Sequence, residues 1–119
     1  MATDKPNPRD HTPLTDLTLH ILLALADGAA HGYAIGKDVE SRSGGRLNPA
    51  TGGLYQALRR LREDGLVEKA QPAGGGDPDP RRQYFRLTPF GRRVFREEAR
   101  RMEGLLSAAR DKKLIPKVS

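Results

Sequence analysis

The side chains best suited to chemistry lie in the stretch from Asn48 to Lys69, and they are hydrogen-bond donors and cations rather than nucleophiles. Three leucines in this stretch follow helical spacing and give one apolar face: Leu54, Leu58 and Leu61. The opposite face of the helical wheel carries Gly52, Gln56, Arg59, Arg60 and Glu63. Arginine and glutamine form paired hydrogen bonds with base edges in the major groove of DNA. The pattern is typical of a helix that reads DNA, although an ordinary amphipathic helix with solvated arginines has the same periodicity.

The distribution of charge favours a polyanionic partner. The net charge is +6, and residues 44–93 carry ten basic and five acidic side chains, whereas residues 1–43 carry four and six. The basic excess therefore begins where the predicted helix begins. A cationic surface of this kind attracts polyanions through phosphate contacts and counterion release, which makes double-stranded DNA the expected partner.

Two helices are predicted before this stretch. Thr12-Pro13 is typical of a helix start, and the apolar stripe that follows it ends at about residue 28. The segment HGYAI at 31–35 opens a second helix that runs to about Ser43. Three side chains of this second helix are predicted to be buried: Tyr33, Ile35 and Val39. Together with the helix at 51–64, these elements predict a helix-turn-helix core.

A β-hairpin is predicted next, from residues 66–70 and 83–87, after Gly65 ends the helix. The connecting segment QPAGGGDPDPRR is too rich in glycine and proline for a tight turn, so we expect a mobile tip. The root of the hairpin carries Arg81, Arg82 and Arg86. We interpret the hairpin as a wing that lies along a phosphate backbone. A solvated loop whose arginines only confer solubility is the alternative.

The last predicted helix starts at Thr88-Pro89 and runs to about Arg110. One arc of its wheel is apolar and carries Val94, Phe95, Ala99, Met102, Leu105, Leu106 and Ala109. This face is larger than one small core can cover, which favours pairing with a second copy of the chain. The alternative is that the helix folds back on the first helix of the same chain.

Composition bounds the class of protein. The 119 residues suffice for one small domain, mainly α with a small β-hairpin, an α+β winged helix-turn-helix fold with a C-terminal dimerisation helix. We expect a mobile arm at 1–12, a winged-helix domain at 13–88, a dimerisation helix at 89–110 and a flexible tail at 111–119. Cysteine is absent and the three histidines are scattered, so we expect no enzyme, cofactor or metal site. Since no membrane span or secretory signal is recognisable, the expected location is the cytoplasm.

Three ordered segments resemble the PadR family of winged-helix transcriptional regulators in its short form. They are HGYAI at 31–35, NPATGGLYQALRRLREDGLVEK at 48–69 and RRQYFRLTPFGRRVF at 81–95, and the resemblance spans residues 14–110. Two departures are visible. Gly53 stands where the family commonly has threonine, and the chain has no tryptophan, which often helps family members to hold flat aromatic molecules.

The resemblance implies a homodimer that binds a promoter palindrome, usually as a repressor. We expect Gln56 and Arg59 to read base edges, with Arg60 there or on phosphate. The full set of expected DNA contacts is Tyr33, Thr51, Gly52, Tyr55, Gln56, Arg59, Arg60, Arg81, Arg82, Tyr84 and Arg86. For Tyr55, core packing with the hydroxyl at the rim is an equal alternative.

Two further questions stay open at the level of sequence. A small-molecule effector is compatible with the resemblance, but with no tryptophan and six aromatic residues we expect no dedicated pocket for a large planar drug. A winged helix used as a protein-interaction module is the alternative function. That function predicts an apolar or acidic recognition face, which Gln56, Arg59 and Arg60 do not provide.

Overall fold

The computed structural model describes residues 7–49, 51–72, 74, 76 and 79–117. Four α-helices and a small sheet make up the fold. A 3-10 helix at Pro8–His11 comes first. The further elements are α1 (Asp16–Ala24), β1 (Ala30–His31), α2 (Gly32–Arg42), α3 (Thr51–Glu63), β2 (Val67–Ala70), β3 (Tyr84–Leu87) and α4 (Pro89–Asp111). The predicted α+β fold class is confirmed.

One apolar core joins the helices to the sheet. It is formed by the predicted stripes of the first three helices, by Phe85 of β3 and by Val94 of α4. The fully or nearly fully buried members are Ile21, Leu22, Leu25, Ile35, Val39, Leu54, Leu58, Leu61, Leu66, Val67, Phe85 and Val94. The leucine face of α3 therefore faces inward, and its polar face is left to solvent.

The sheet has three antiparallel strands in the order β1-β3-β2. Val67 pairs with Leu87 and Ala70 with Tyr84, which confirms the predicted hairpin. The third strand, β1, was not predicted. It consists of two residues, which pair with Phe85 and Tyr84, and so it is too short to show an alternating pattern in the sequence.

The amino-terminal part of the fold differs from the prediction. The first helix begins at Asp16 rather than after Thr12, because the Thr15 hydroxyl accepts the Thr18 amide proton at 3.1 Å and supplies the cap. Within the predicted mobile arm, residues Pro8–His11 form an ordered 3-10 helix that contacts α4. Residues 1–6 lie outside the described part of the chain.

A buried carboxylate joins this amino-terminal segment to α4. Glu98 is fully buried, and its Oε2 accepts the Leu14 amide proton at 2.7 Å. The Arg101 guanidinium donates to both carboxylate oxygens, at 2.6 and 3.1 Å. The hydrogen bonds from Arg101, reinforced by that from Leu14, hold the pKa of Glu98 below its usual range although burial opposes this. No apolar or charge pattern in the sequence pointed to this contact.

Because the folded state lowers the pKa of Glu98, the ionised carboxylate stabilises the fold above the pKa of the unfolded chain, near pH 4. This contribution is lost as the pH falls through the lower pKa of the folded state. Glu98→Gln should therefore cost roughly 1–3 kcal/mol of unfolding free energy at neutral pH and progressively less in acid. Urea titrations of both proteins from pH 7 to pH 3 measure the difference, and a constant difference over that range would contradict the role given to the charge.

The start of α4 is joined to the turn before β2. The Thr88 hydroxyl caps α4 by accepting the Gly91 amide proton at 2.9 Å, and it donates to the Gly65 carbonyl oxygen at 2.6 Å. The Thr88 amide donates to the Leu66 carbonyl oxygen at 3.0 Å. These bonds fix α4 relative to the helix-turn-helix core. Within the described residues, none of the helices combines the length and apolar character that crossing a lipid bilayer requires.

Candidate DNA-binding surface

The polar face of α3 is exposed along its length. Gly52, Gln56, Arg59 and Arg60 are all exposed, as the sequence predicts. Thr51 is the first residue of α3, and its side chain lies outside the described part of the structure. The exposed side chains combine amide and guanidinium donors on a helix that is held from behind by buried leucines. This arrangement can present hydrogen-bond donors to base edges without rearrangement of the core.

Two tyrosines lie at the amino-terminal half of α3, Tyr33 from α2 and Tyr55 from α3 itself. Tyr33 is 66% exposed, so its predicted burial is wrong, and the Lys37 ammonium lies 5.6 Å from its ring centroid. The ring of Tyr33 extends from the first turn of α2, whose inward face is taken by Ile35 and Val39. Tyr55 is 40% exposed, its ring centroid lies 6.4 Å from that of Phe85, and its hydroxyl lies against Gly32. Its contact with DNA stays a prediction.

The arginines at the root of the wing are engaged with neighbouring side chains. Arg81 pairs with Asp79 at 3.2 Å, and Arg86 pairs with Glu68 across the hairpin at 2.6 Å. Both pairs are exposed, so they are worth little in water and can exchange partners. The predicted mobile tip spans residues 71–82, and four of these residues, 73, 75, 77 and 78, lie outside the described part of the chain.

A groove runs between α3 and the wing. Its cationic walls are Arg59, Arg62 and Lys69, and its volume is about 410 Å³. Glu63 and Glu68 also line the groove, so its charge is mixed rather than uniformly positive. The arrangement brings the predicted base-reading residue Arg59 next to the wing.

The sequence missed one residue of this surface, His31. Its Nδ1 accepts the Ala34 amide proton at 3.2 Å and so caps α2. Its ring makes an edge contact with Tyr84, with centroids 5.3 Å apart, and its Nε2 lies 3.4 Å from an Arg82 guanidinium nitrogen. The signal available in the sequence was a histidine directly before the first residue of a helix.

The predicted dimerisation face of α4 is divided in two. Val94 is fully buried in the core of its own chain, so its assignment to that face is wrong, and Phe95 is half-buried against the same core. Towards the carboxyl end, Met102, Leu105 and Leu106 are 40%, 64% and 43% exposed. Ala99 and Ala109 are half-buried. The first turns of α4 thus belong to the winged-helix core, and the later turns present an apolar surface.

Similarity to known proteins identifies the family of this chain. Residues 21–97 match the model of the transcriptional regulator PadR-like family. A transcriptional regulator from Mycobacterium tuberculosis is 39% identical over 87 residues, which cover 73% of this chain and 76% of that protein. An uncharacterised 37.1 kDa protein in transposon TN4556 of Streptomyces fradiae is 43% identical over 90 residues. That match covers 76% of this chain, which spans about a quarter of the length of the Streptomyces protein.

Solved structures give the same result. A PadR family transcriptional regulator from Eggerthella lenta superposes with a TM-score of 0.59 and 28% identity, covering 92% of this chain and 87% of that structure. The family model alone spans well over half of the chain. The chain therefore belongs to the PadR-like family and is a DNA-binding transcriptional regulator, not an enzyme.

Proposed function

We propose that the protein binds DNA sequence-specifically, with α3 in the major groove and the wing along the phosphate backbone. The exposed face of α3 carries this proposal, because Gln56, Arg59 and Arg60 project from a helix whose opposite face is locked into the core. Tyr33 and Tyr55 line a hollow at the start of α3, and Arg82, Tyr84 and Arg86 line another on the wing. These tyrosines and the wing arginines are proposed to contact phosphate or the minor groove. An apolar or acidic face, as a protein-interaction module would need, is not what α3 presents.

We further propose that the regulator is a homodimer that binds a palindrome in a promoter, acts as a repressor, and works in the cytoplasm. The exposed apolar face at Met102, Leu105 and Leu106 supports dimerisation through α4. Two copies related by a twofold axis present two α3 helices, and such pairs bind half-sites about one DNA turn, roughly 34 Å, apart. A repressor follows if the palindrome overlaps the site that RNA polymerase needs.

Any effector is proposed to be small, or to act by changing the spacing between the two α3 helices. The chain has no tryptophan, and only Phe90 and Phe95 among its aromatic residues lie on α4. Each aromatic contact adds only about 0.5–1.5 kcal/mol beyond its buried area, so stacking of a large planar molecule there is poorly supported.

Arg59→Ala tests the base-reading role. If Arg59 contacts a base edge, the substitution should weaken binding to the preferred site by about 1–3 kcal/mol and leave binding to random DNA much less affected. Competition titrations with labelled operator and random duplexes, each at several salt concentrations, measure the two affinities. Equal losses on both duplexes would show that Arg59 contacts phosphate only.

Arg96→Ala is the matched control for charge. Arg96 is exposed, belongs to α4 rather than to α3 or the wing, and its removal also lowers the net charge by one. We expect its operator affinity to stay within about twofold of wild type, because long-range charge effects are screened at physiological salt.

A further inference from the structure

His31 has two hydrogen-bond contacts that a single imidazole cannot satisfy as an acceptor. The Ala34 amide points at Nδ1 at 3.2 Å, and the Arg82 guanidinium lies 3.4 Å from Nε2. Both neighbours are donors. A neutral imidazole has one acceptor nitrogen and one N–H, and a protonated one has no acceptor. One of the two contacts is therefore a meeting of two donors.

The cap takes the acceptor nitrogen. The Ala34 amide belongs to the first turn of α2, where backbone N–H groups have no partner inside the helix, and it cannot turn away. The Arg82 side chain is long and exposed, and it can turn its donors elsewhere. With Nδ1 accepting from the Ala34 amide, the N–H of the ring is assigned to Nε2, where it and the Arg82 guanidinium converge.

We propose that the His31 Nε2–H and the Arg82 guanidinium together hold one phosphate of the DNA backbone. A phosphate oxygen accepts from both donors at once, which turns an unfavourable meeting into two charge-assisted hydrogen bonds. The exposed ring of Tyr33 stacks beside His31, with centroids 6.4 Å apart, and Tyr84 holds the imidazole from the other side. The inference rests on the proposed placement of this surface against DNA, and it assigns a contact residue in β1, outside α3 and the wing.

The same ring therefore has two roles, which different substitutions separate. Serine and asparagine both supply a cap acceptor as good as or better than histidine, but neither reaches the position of Nε2. His31→Ser and His31→Asn should keep the thermal stability of the wild type within a few degrees. Both should weaken binding to operator and random duplexes alike by about tenfold, the typical loss of one hydrogen bond to a charged group.

Salt dependence distinguishes His31 from its partner. A neutral imidazole displaces no counterion, so the slope of log affinity against log salt should be unchanged in His31→Ser. Arg82→Ala should reduce that slope by about one unit. Because both groups hold the same phosphate, the double variant should lose less affinity than the product of the two single losses.

Fluorescence titrations of the full chain with operator and random duplexes, at four salt concentrations, carry out this cycle. Wild-type affinity in both His31→Ser and His31→Asn, with a loss in Arg82→Ala, would overturn the shared phosphate contact but not the proposed DNA surface. Losses that multiply in the double variant would also overturn it. If, in addition, the DNA affinity of Arg59→Ala equals that of the wild type, the proposed placement of this surface against DNA fails.

Discussion

Replacing Gly91 with alanine should destabilise the fold by about 3 kcal/mol or more, and lower the melting temperature by roughly 10 °C or more. Gly91 is buried in the first turn of α4, where this turn packs against Leu66, just before β2, and Leu87, the last residue of β3. A methyl group at this position would overlap the backbone carbonyl oxygen of Leu66 and approach the Leu87 side chain to 2.9 Å. Backbone cannot move aside as the end of a side chain can, and the same Leu66 carbonyl accepts the Thr88 amide proton. Helix α4 would have to shift away from the core.

Gly104→Ala is the matched control on the same helix. Among the described residues, no atom beyond the adjacent residues and the local backbone of α4 lies within 4 Å of a methyl group built at Gly104. Alanine is also the better helix former there by about 0.5–1 kcal/mol. Thermal and urea unfolding of both variants should show opposite changes in stability. A Gly91→Ala protein as stable as the wild type would mean that the close packing of α4 on Leu66 is not present in solution.

Replacing Leu106 with glutamate should shift the protein from dimer to monomer. Leu106 is 43% exposed in the isolated chain and lies with Met102 and Leu105 on the apolar face of α4. In a twofold dimer each protomer contributes one copy of residue 106 to the interface, so this substitution places two carboxylates among apolar side chains. We expect the dissociation constant of the dimer to rise by about 100-fold or more. Sedimentation velocity over a concentration series measures it.

Ser107→Glu is the control for this substitution. It adds the same charge one residue further along α4, on the polar arc of the wheel with Arg96, Arg100 and Glu103, and Ser107 is exposed. The control protein should remain dimeric. Specific dimers persist at tens of micromolar protein. A wild-type protein that sediments as a monomer at that concentration would contradict the proposal that α4 pairs with α4 of a second copy.

Elements with strong local signals could be predicted from the sequence. The leucine spacing and Gly65 gave α3 within one residue of its observed end at Glu63. The cap at Thr88 with Pro89 after it gave the start of α4. In both cases the information lies within a few neighbouring residues, because helix periodicity and capping are local effects.

Features that depend on distant contacts could not be predicted. Glu98 is buried because Leu14, 84 positions earlier, and Arg101 both donate to it, and an acidic residue on a helix gives no sign of this. Strand β1 exists only because β3 passes beside it. The exposure of Tyr33 also depends on which face of α2 packs against the core. Ile35 and Val39 lie on the packed face, and Tyr33 does not. For the proposed site, the sequence pattern indicates the α3 face and the wing arginines, whereas the contacts of His31 with Tyr84 and Arg82 join residues about 50 positions apart and leave no local signal.

The central claim is that two α3 helices of a homodimer read a palindrome. The most direct measurement is selection of bound fragments from the genomic DNA of the source organism, followed by dimethyl sulfate footprinting of the enriched sites, which reports access to guanine N7 in the major groove. We predict an enriched inverted repeat whose half-sites are centred about one helical turn, roughly 34 Å, apart, each protected in the major groove. Fragments bound without sequence enrichment, or protection of a single half-site by a monomer, would contradict the claim.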